Sequence, residues 1–93
     1  MSHYVYILHS ENIGRYYVGE SAFPEERLKE HNSGKYHGSF TKQSSDWEIF
    51  LTIECTERNQ ALKVEKKIKS MKSTNYIKNL KLYPEMIEKL LNL

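Results

Sequence analysis

The sequence predicts an α+β fold in which helices flank a small, three-stranded antiparallel sheet. Two short runs rich in aromatic and β-branched residues, at 4–8 and 15–19, and a third alternating run at 47–55 are typical of strands. Helical spacing and capping residues dominate the chain after residue 56. The predicted order is therefore β β α β α α α, and a length of 93 residues favours one domain, residues 1–93.

The first two strands form a predicted hairpin, because the residues between them are typical of a turn of four or five residues. We expect Tyr6 to lie opposite Tyr17, which also places Tyr4 opposite Gly19 on the same face. Gly19 would then let another group approach the backbone closely, or it marks a bulge or turn.

A short helix is predicted for residues 24–31. Pro24 suits a first helical position, and Glu25 and Glu26 suit the positive N-terminal end of a helix. The Asn-Ser-Gly sequence that follows is typical of a helix end.

A loop of about a dozen residues, 33–46, then leads to the third strand. It contains Lys35, His37 and Lys42, and its one acid is Asp46 at its end. Alternation along the third strand places five side chains on one face: Trp47, Ile49, Leu51, Ile53 and Cys55.

Three helices are predicted after this strand. Thr56 can cap a helix that runs to about Lys72. Its apolar stripe is Ala61, Val64, Ile68 and Met71. Ser73 can cap a second helix, and Pro84 can open a third. The inward residues of these two helices are predicted to be Tyr76, Ile77, Leu80, Ile87, Leu90 and Leu91.

The formal net charge of +2 conceals a basic segment. Residues 56–81 carry eight Lys or Arg and two acids, a net charge of +6, whereas the rest of the chain carries −4. A positive segment of this kind is suited to phosphate groups of nucleic acids.

The longest unbroken apolar run, residues 4–8, is too short to cross a bilayer, so no membrane association is expected. Cys55 is the single cysteine, which excludes an intrachain disulfide and favours a cytoplasmic location. A zinc site is not expected, because Cys55 has no cysteine partner and the four histidines show no established ligand spacing.

Glu65 is the acid that departs from the local pattern of the long helix. Helical geometry places it beside the apolar stripe, whereas Lys63, Lys66 and Lys67 point to solvent. A carboxylate turned toward a core must be paired, protonated or bound to a metal. Glu65 is therefore either a member of an ion pair at the edge of the stripe or the single carboxylate ligand of a Mg²⁺-like ion.

Arg27 and His31 share a face of the first helix, because they are four residues apart, and Glu30 lies beside them. Arg27 is either a salt-bridge partner of an acid or a ligand for phosphate oxygens. His31 either caps the helix end or transfers a proton near neutral pH.

Together these residues resemble a known family. The order is Tyr4-Val5-Tyr6, then Tyr17-Val18-Gly19, then Arg27-x-x-x-His31-Asn32-x-Gly34, then Glu65 within the helical run Ala61 to Lys69. The chain resembles the GIY-YIG nuclease domain over nearly its whole length, above all the small stand-alone bacterial members that are similar to the incision domain of nucleotide-excision repair.

The resemblance implies an endonuclease that hydrolyses DNA phosphodiesters with one divalent metal, Mg²⁺ or Mn²⁺. It implies that Tyr6 is the general base and that Tyr17 supports it. Arg27 would bind the phosphate, His31 would assist, Glu65 would hold the metal and Gly19 would form the wall of the site. The lysines expected to contact nucleic acid are Lys42, Lys63, Lys66, Lys67 and Lys69.

Three positions depart from the family pattern. Tyr4 stands where many members have glycine, and Asn75 is only a candidate for a late asparagine. Glu20 follows Gly19 where some members have a basic residue, and an acid there would repel DNA.

The leading hypothesis is therefore a metal-dependent DNA endonuclease of repair or recombination. Its substrate would be branched or damaged DNA, and a protein partner would supply specificity. The alternative is a nucleic-acid-binding module of the same fold with weak or no catalysis, in which Glu65 is only an ion-pair member. A protein-interaction adaptor ranks last, because it would leave the set of phenols, Arg27 and Glu65 without a reason.

Overall fold

The structure, a computed structural model, describes residues 2–34 and 40–93. Its elements in chain order are β1 (His3–Ser10), β2 (Arg15–Ser21), α1 (Pro24–Asn32), a 3₁₀ helix (Phe40–Gln43), β3 (Glu48–Cys55), α2 (Arg58–Met71), α3 (Thr74–Leu82) and α4 (Pro84–Leu91). The strands form one antiparallel sheet in the order β2-β1-β3. The predicted α+β class and element order are confirmed. Lys35 and His37 of the predicted loop lie outside the described residues.

The hairpin register differs from the prediction by two residues. Tyr6 lies opposite Gly19 rather than Tyr17, and Tyr17 lies opposite Leu8. β1 extends two residues further toward the turn than expected, to Ser10, and Gly14 closes that turn with a positive φ of 61°. A shift of two residues leaves every side chain on its predicted face, because side chains along a strand alternate with a period of two.

The third strand does not keep its five apolar residues on one face. The pairing with β1 passes from Ile7 opposite Leu51 to Leu8 opposite Ile49, so Phe50 is an extra residue in β3. Such a bulge switches the faces of the residues on either side of it. Ile53 and Cys55 consequently pack on one side of the sheet, whereas Trp47 and Ile49 pack on the other.

The sheet therefore carries apolar side chains on both faces. On one face, Val5, Ile7 and Val18 pack against the buried stripe of α2. That stripe consists of Ala61, Val64 and Ile68, and α3 and α4 add Ile77, Leu80 and Leu90. On the other face, Tyr6, Leu8 and Trp47 form a smaller cluster, against which Leu28 of α1 packs.

The helix ends mostly follow their predicted signals. Pro24 and Pro84 begin α1 and α4, and the Ser73 hydroxyl accepts a hydrogen bond from the N–H of Tyr76 at the start of α3. The predicted cap at Thr56 is wrong: Glu57 is the capping position of α2. The Thr56 N–H instead donates to the Gln60 side chain, 2.8 Å away, which holds this residue outside the helix.

Met71 does not extend the buried stripe of α2, as its spacing had predicted. It is 41% exposed, because α2 ends there and Lys72 turns the chain with a positive φ of 47°. In α4, Leu90 is buried and Ile87 and Leu91 pack partly against the core, as predicted. Within the residues described, the helices are all too short or too polar to cross a membrane.

Candidate functional site

One cavity of about 260 Å³ brings together side chains from four elements. Its lining residues are Tyr6, Tyr17, Gly19, Glu20, Arg27, His31 and Glu65. This set includes all five residues predicted to be catalytic, together with the predicted wall residue. The cavity has room for several water molecules, and so for a phosphate group beside a partly hydrated ion.

The position of the cavity follows from the sheet order. β2 is an edge strand, with α1 packed over one face of the sheet and α2 over the other. Arg27 and His31 come from α1, and Glu65 comes from α2. Residues from helices on opposite faces of the sheet therefore line one cavity at the edge that β2 forms.

Tyr6 lies on the central strand and is buried, with 3% of its surface exposed. Its hydroxyl oxygen is 3.0 Å from Nε2 of His31, which is also 3% exposed. The Tyr17 ring completes the group, with its centroid 6.3 Å from that of Tyr6 and 4.8 Å from that of His31. The two phenols and the imidazole thus form one packed aromatic cluster.

Gly19 is required by this cluster. A Cβ atom at this position would lie 2.6 Å from both Cζ and the hydroxyl oxygen of Tyr6, and 3.1 Å from Cε2 of Tyr17. Real Cβ contacts essentially never approach 2.6 Å. The glycine predicted to form the wall of the site therefore gives the Tyr6 phenol the space that it occupies.

His31 is electrically neutral near pH 7 by virtue of its surroundings. Burial lowers the pKa of the His31 imidazole below its usual value of 6.5, and the Arg27 guanidinium lowers this pKa further. The Glu30 carboxylate acts in the opposite direction and has the smallest effect of the three. A neutral imidazole has one N–H donor and one acceptor nitrogen, so it can accept a proton.

Arg27 lies at the open side of the cluster, with 45% of its side chain exposed. Its Nη1 lies 3.4 Å from Oε1 of Glu30, and its Nε donates to the Ser21 hydroxyl at 3.4 Å. The guanidinium is thereby held at the edge of the cavity. Arg27 therefore pairs with an acid and also lines the cavity, and its contact with a phosphate stays a prediction.

Glu65 has 16% of its side chain exposed, as expected for a carboxylate beside the apolar stripe. Its Oε2 accepts a hydrogen bond from Nζ of Lys69, one turn further along α2, at 2.7 Å. The described residues hold no cluster of three His, Cys, Asp or Glu side chains that could bind a metal. A cation at Glu65 would thus take most of its ligands from water and phosphate, an arrangement that Mg²⁺ accepts with one or two carboxylates.

Glu20 lines the cavity and has two side-chain partners. Its carboxylate contacts the His3 ring, and its Oε1 lies 3.8 Å from Nε of Arg58. The repulsion of DNA that its sequence position suggested is therefore reduced by Arg58 at neutral pH.

The lysines proposed to contact nucleic acid are exposed: Lys42, Lys63, Lys66, Lys67 and Lys69. Four of the five lie on α2, and Lys69 reaches the site through its ion pair with Glu65. Lys42 lies in the 3₁₀ helix. Asn75, the candidate for a late asparagine, is exposed on α3 and does not line the cavity.

Two contacts at the site had no counterpart in the sequence prediction. The Thr41 hydroxyl is 2.7 Å from Nδ1 of His31, and the Asn32 side chain bonds both the backbone N–H and the C=O of Trp47. Asn32 belongs to the quoted motif, which was its only signal. Thr41 had none, because it meets His31 across a loop with no periodic pattern.

A second, larger hollow of about 450 Å³ lies beside the N-terminus of α1. Its lining includes Phe23 and the carboxylates of Glu25 and Glu26, with no histidine or arginine. Of these two, the smaller cavity is the candidate site, because it brings together carboxylates, a histidine and an arginine.

The structure is thus a small α+β protein in which two phenols, His31, Arg27 and Glu65 surround one cavity at the edge of an antiparallel sheet. Residues 2–79 match the protein family described as the GIY-YIG catalytic domain. The chain belongs to this family.

Two relatives support the assignment. The chain is 34% identical over 82 residues to a protein named UPF0213 from Syntrophus aciditrophicus (strain SB), a match that covers 88% of this chain and 93% of the relative. It is also similar to the solution NMR structure of a UPF0213 protein from Bacillus halodurans, with a TM-score of 0.52 and 29% identity. That match covers 86% of this chain and 82% of the solved chain. Neither name states an activity.

Proposed function

We propose that this protein is a metal-dependent endonuclease that hydrolyses DNA phosphodiester bonds. The observation that carries the proposal is the cavity at the β2 edge, where a phenol bonded to a neutral imidazole lies with Arg27 and Glu65. These groups supply a base, a proton acceptor, a phosphate-binding cation and a metal ligand, which together are what in-line attack of water on a phosphodiester requires.

The base in this proposal is Tyr6. An unperturbed phenol has a pKa of about 10, so Tyr6 must lose its proton to a neighbour before it can take one from water. His31 Nε2 lies 3.0 Å from the phenol oxygen, and burial keeps the imidazole neutral by lowering its pKa. The proton of Tyr6 passes to His31, and the resulting phenolate takes a proton from the attacking water.

Arg27 and Glu65 act on the phosphate in this scheme. The Arg27 guanidinium holds a nonbridging oxygen, and Glu65 holds one Mg²⁺ or Mn²⁺ ion with its carboxylate. An ion held there would supply positive charge beside the reacting phosphate. Lys69 would compete with such an ion for the Glu65 carboxylate, and its exposed ammonium could contact a neighbouring phosphate when the pair opens.

The remaining DNA contacts are assigned to the exposed lysines of α2 and to Lys42. Because α2 also carries Glu65, this positive surface leads directly to the proposed metal position. Each phosphate that a lysine neutralises releases a counterion, so the affinity for DNA should fall as the salt concentration rises.

The decisive experiment is incubation of branched, nicked and intact duplex DNA with the protein and Mg²⁺ or Mn²⁺. We expect cleavage that Tyr6→Phe and Glu65→Gln each abolish, while circular dichroism shows that both variants fold. Lys78→Ala, an exposed lysine of α3, serves as the control and should leave cleavage unchanged. Absence of cleavage on all three substrates, or cleavage that persists in Glu65→Gln, would contradict the proposal.

The Lys69–Glu65 ion pair favours a second candidate, a nucleic-acid-binding module of the same fold with weak or no catalysis. In that case the carboxylate is only an ion-pair member, and the lysines of α2 account for binding. Salt-dependent DNA binding that is unchanged by Glu65→Gln, with no product formed, would favour this candidate over the nuclease.

The biological setting remains part of the proposal. We infer a role in DNA repair or recombination on branched or damaged DNA. Residues 1–93 are proposed to form a single domain, and a protein partner is proposed to supply specificity. A cytoplasmic location is proposed from the single cysteine, Cys55, which is buried.

A further inference from the structure

Thr41 lies behind the candidate site, and the proposed reaction gives it no role. It belongs to the 3₁₀ helix Phe40–Gln43 and is fully buried. Its hydroxyl oxygen is 2.7 Å from Nδ1 of His31, whose Nε2 is 3.0 Å from the Tyr6 hydroxyl. Thr41, His31 and Tyr6, from three separate elements, are therefore connected by two consecutive hydrogen bonds, and Tyr6 is the proposed base.

The surrounding contacts fix Thr41 relative to His31. The backbone C=O of Thr41 accepts a hydrogen bond from Nε1 of Trp47 at 2.8 Å. The backbone of Trp47 is in turn bonded by the side chain of Asn32, the neighbour of His31 in α1. Because Trp47 is only 2% exposed, its hydrogen bonds to Thr41 and Asn32 lie inside the protein.

A neutral imidazole carries its proton on one nitrogen only, and the partner of that nitrogen selects which one. With the proton on Nδ1, His31 donates to Thr41, and the lone pair of Nε2 faces the Tyr6 hydroxyl. With the proton on Nε2, Thr41 would donate to Nδ1, and His31 could not take the phenol proton through Nε2. Only the first arrangement serves the proposed reaction.

We propose that Thr41 is a positioning residue: its hydroxyl accepts the Nδ1–H hydrogen bond of His31 and thereby holds Nε2 as the acceptor for the proton of Tyr6. The O–H bond of Tyr6 breaks and an N–H bond forms at Nε2, which leaves a phenolate beside an imidazolium. The Nδ1–H donor stays in place throughout, and its bond to Thr41 becomes stronger as the imidazolium forms, because one partner is then charged.

The catalytic half of this inference rests on the proposed function, whereas the hydrogen bond and the tautomer do not. The two are therefore tested by separate measurements. In the full chain labelled with ¹⁵N-histidine, long-range ¹H–¹⁵N spectra at a pH where His31 is neutral report which ring nitrogen carries the proton. We expect the Nδ1–H form in the unmodified protein. A dominant Nε2–H form would overturn the proposal, whether or not the protein cleaves DNA.

Substitutions at Thr41 give the second measurement. Thr41→Val keeps the shape and removes the hydroxyl, and it should shift His31 toward a mixture of tautomers, whereas Thr41→Ser should restore the Nδ1–H form. Partners that orient a metal-ligating histidine are typically worth on the order of 10- to 100-fold in activity, and we apply the same factor to His31. We therefore expect kcat to fall by that factor in Thr41→Val with little change in KM, and to recover to within a few-fold in Thr41→Ser.

Thr74→Val, at the exposed first residue of α3, is the matched control and should leave both measurements unchanged. If Thr41→Val does not fold, the tautomer of the unmodified protein and of Thr41→Ser still decides the question. Unchanged ring-nitrogen shifts in a folded Thr41→Val variant would contradict the proposal. Absence of cleavage by the unmodified protein, with the Nδ1–H form present, would overturn the proposed function and support the hydrogen-bond assignment.

Discussion

A methyl group at position 19 should displace the proposed catalytic base. In Gly19→Ala the new Cβ would lie 2.6 Å from Cζ and from the hydroxyl oxygen of Tyr6. Non-bonded carbon atoms prefer a separation of about 3.5–4.0 Å, so either the Tyr6 ring or the β2 backbone must move by about 1 Å. Neither can move easily, because Tyr6 is 3% exposed and is paired through the sheet on both sides.

The cost in stability and the cost in activity can be separated. Overpacking of a close-packed interior typically costs about 1–3 kcal/mol of unfolding free energy. A shift of about 1 Å would also stretch the 3.0 Å contact between Tyr6 and His31 beyond the range of a hydrogen bond. Because misplacement by about 1 Å can cost on the order of 100-fold in rate, we expect DNA cleavage by Gly19→Ala to fall by about that factor.

The assay compares cleavage rate and urea unfolding for Gly19→Ala and for Gly14→Ala. Gly14 lies in the hairpin turn with φ of 61°, and a Cβ there would contact nothing within 4 Å. Its substitution should cost about 1–2 kcal/mol through the left-handed backbone, with the cleavage rate unchanged. Gly14→Ala is therefore a control that loses about as much stability as Gly19→Ala, while its new methyl group lies away from the site. A folded Gly19→Ala protein that cleaves DNA at the unmodified rate would refute the packing argument.

Three further predictions concern charges. Lys69→Met should tighten Mn²⁺ binding at Glu65 by roughly two-fold, because an i,i+4 pair worth about 0.3–0.5 kcal/mol no longer competes with the ion. Mn²⁺ titration followed by electron paramagnetic resonance checks this against Lys63→Met, and equal affinities in the two variants would contradict it. The pKa of His31 is lowered in the fold, so its contribution to stability is complete above its usual pKa of 6.5 and is lost as the pH falls below that value. Urea unfolding across this range should show a steeper acid-side loss for the unmodified protein than for His31→Gln, and identical slopes would exclude the effect. Hydrogen bonds from the Ser10 and Ser44 hydroxyls, followed by the Asn12 N–H, lower the pKa of Asp46 to about 2. Asp46→Asn should therefore be less stable at pH 7, and its deficit should shrink as the pH falls from 3.8 toward 2; a constant deficit in unfolding measurements over that range would count against this reasoning.

Local signals were sufficient for the elements of the fold. Pro24, Ser73 and Pro84 begin helices where their backbone preferences and capping oxygens predict them. These preferences act within a few residues, and a sequence displays them directly. The predicted cap at Thr56 was wrong because the Thr56 N–H donates to the side chain of Gln60, one turn further along. The capping preference of a single residue does not include competition of this kind.

The arrangement of the strands depended on contacts between distant residues. The register of the hairpin depends on the turn that Gly14 closes. The bulge at Phe50 lets the apolar side chains of β3 pack on both faces of the sheet. Tyr6, Tyr17 and Gly19 still lie on their predicted face despite the wrong register, because a shift of two residues preserves the alternation of side chains between the two faces. The predicted single face of β3 did not survive, because a bulge shifts alternation by one residue.

The sequence by itself determined which chemical groups this protein could use: the phenols, Arg27, His31 and Glu65, in the order that marks the family. It also determined the α+β class, because periodicity and capping are local properties. Only the tertiary structure decided that these groups line one cavity at the β2 edge, that Gly19 makes room for Tyr6, and that Thr41 contacts His31. Distances between residues far apart in the chain depend on how α1 and α2 pack against opposite faces of the sheet, and that packing is a property of the whole core.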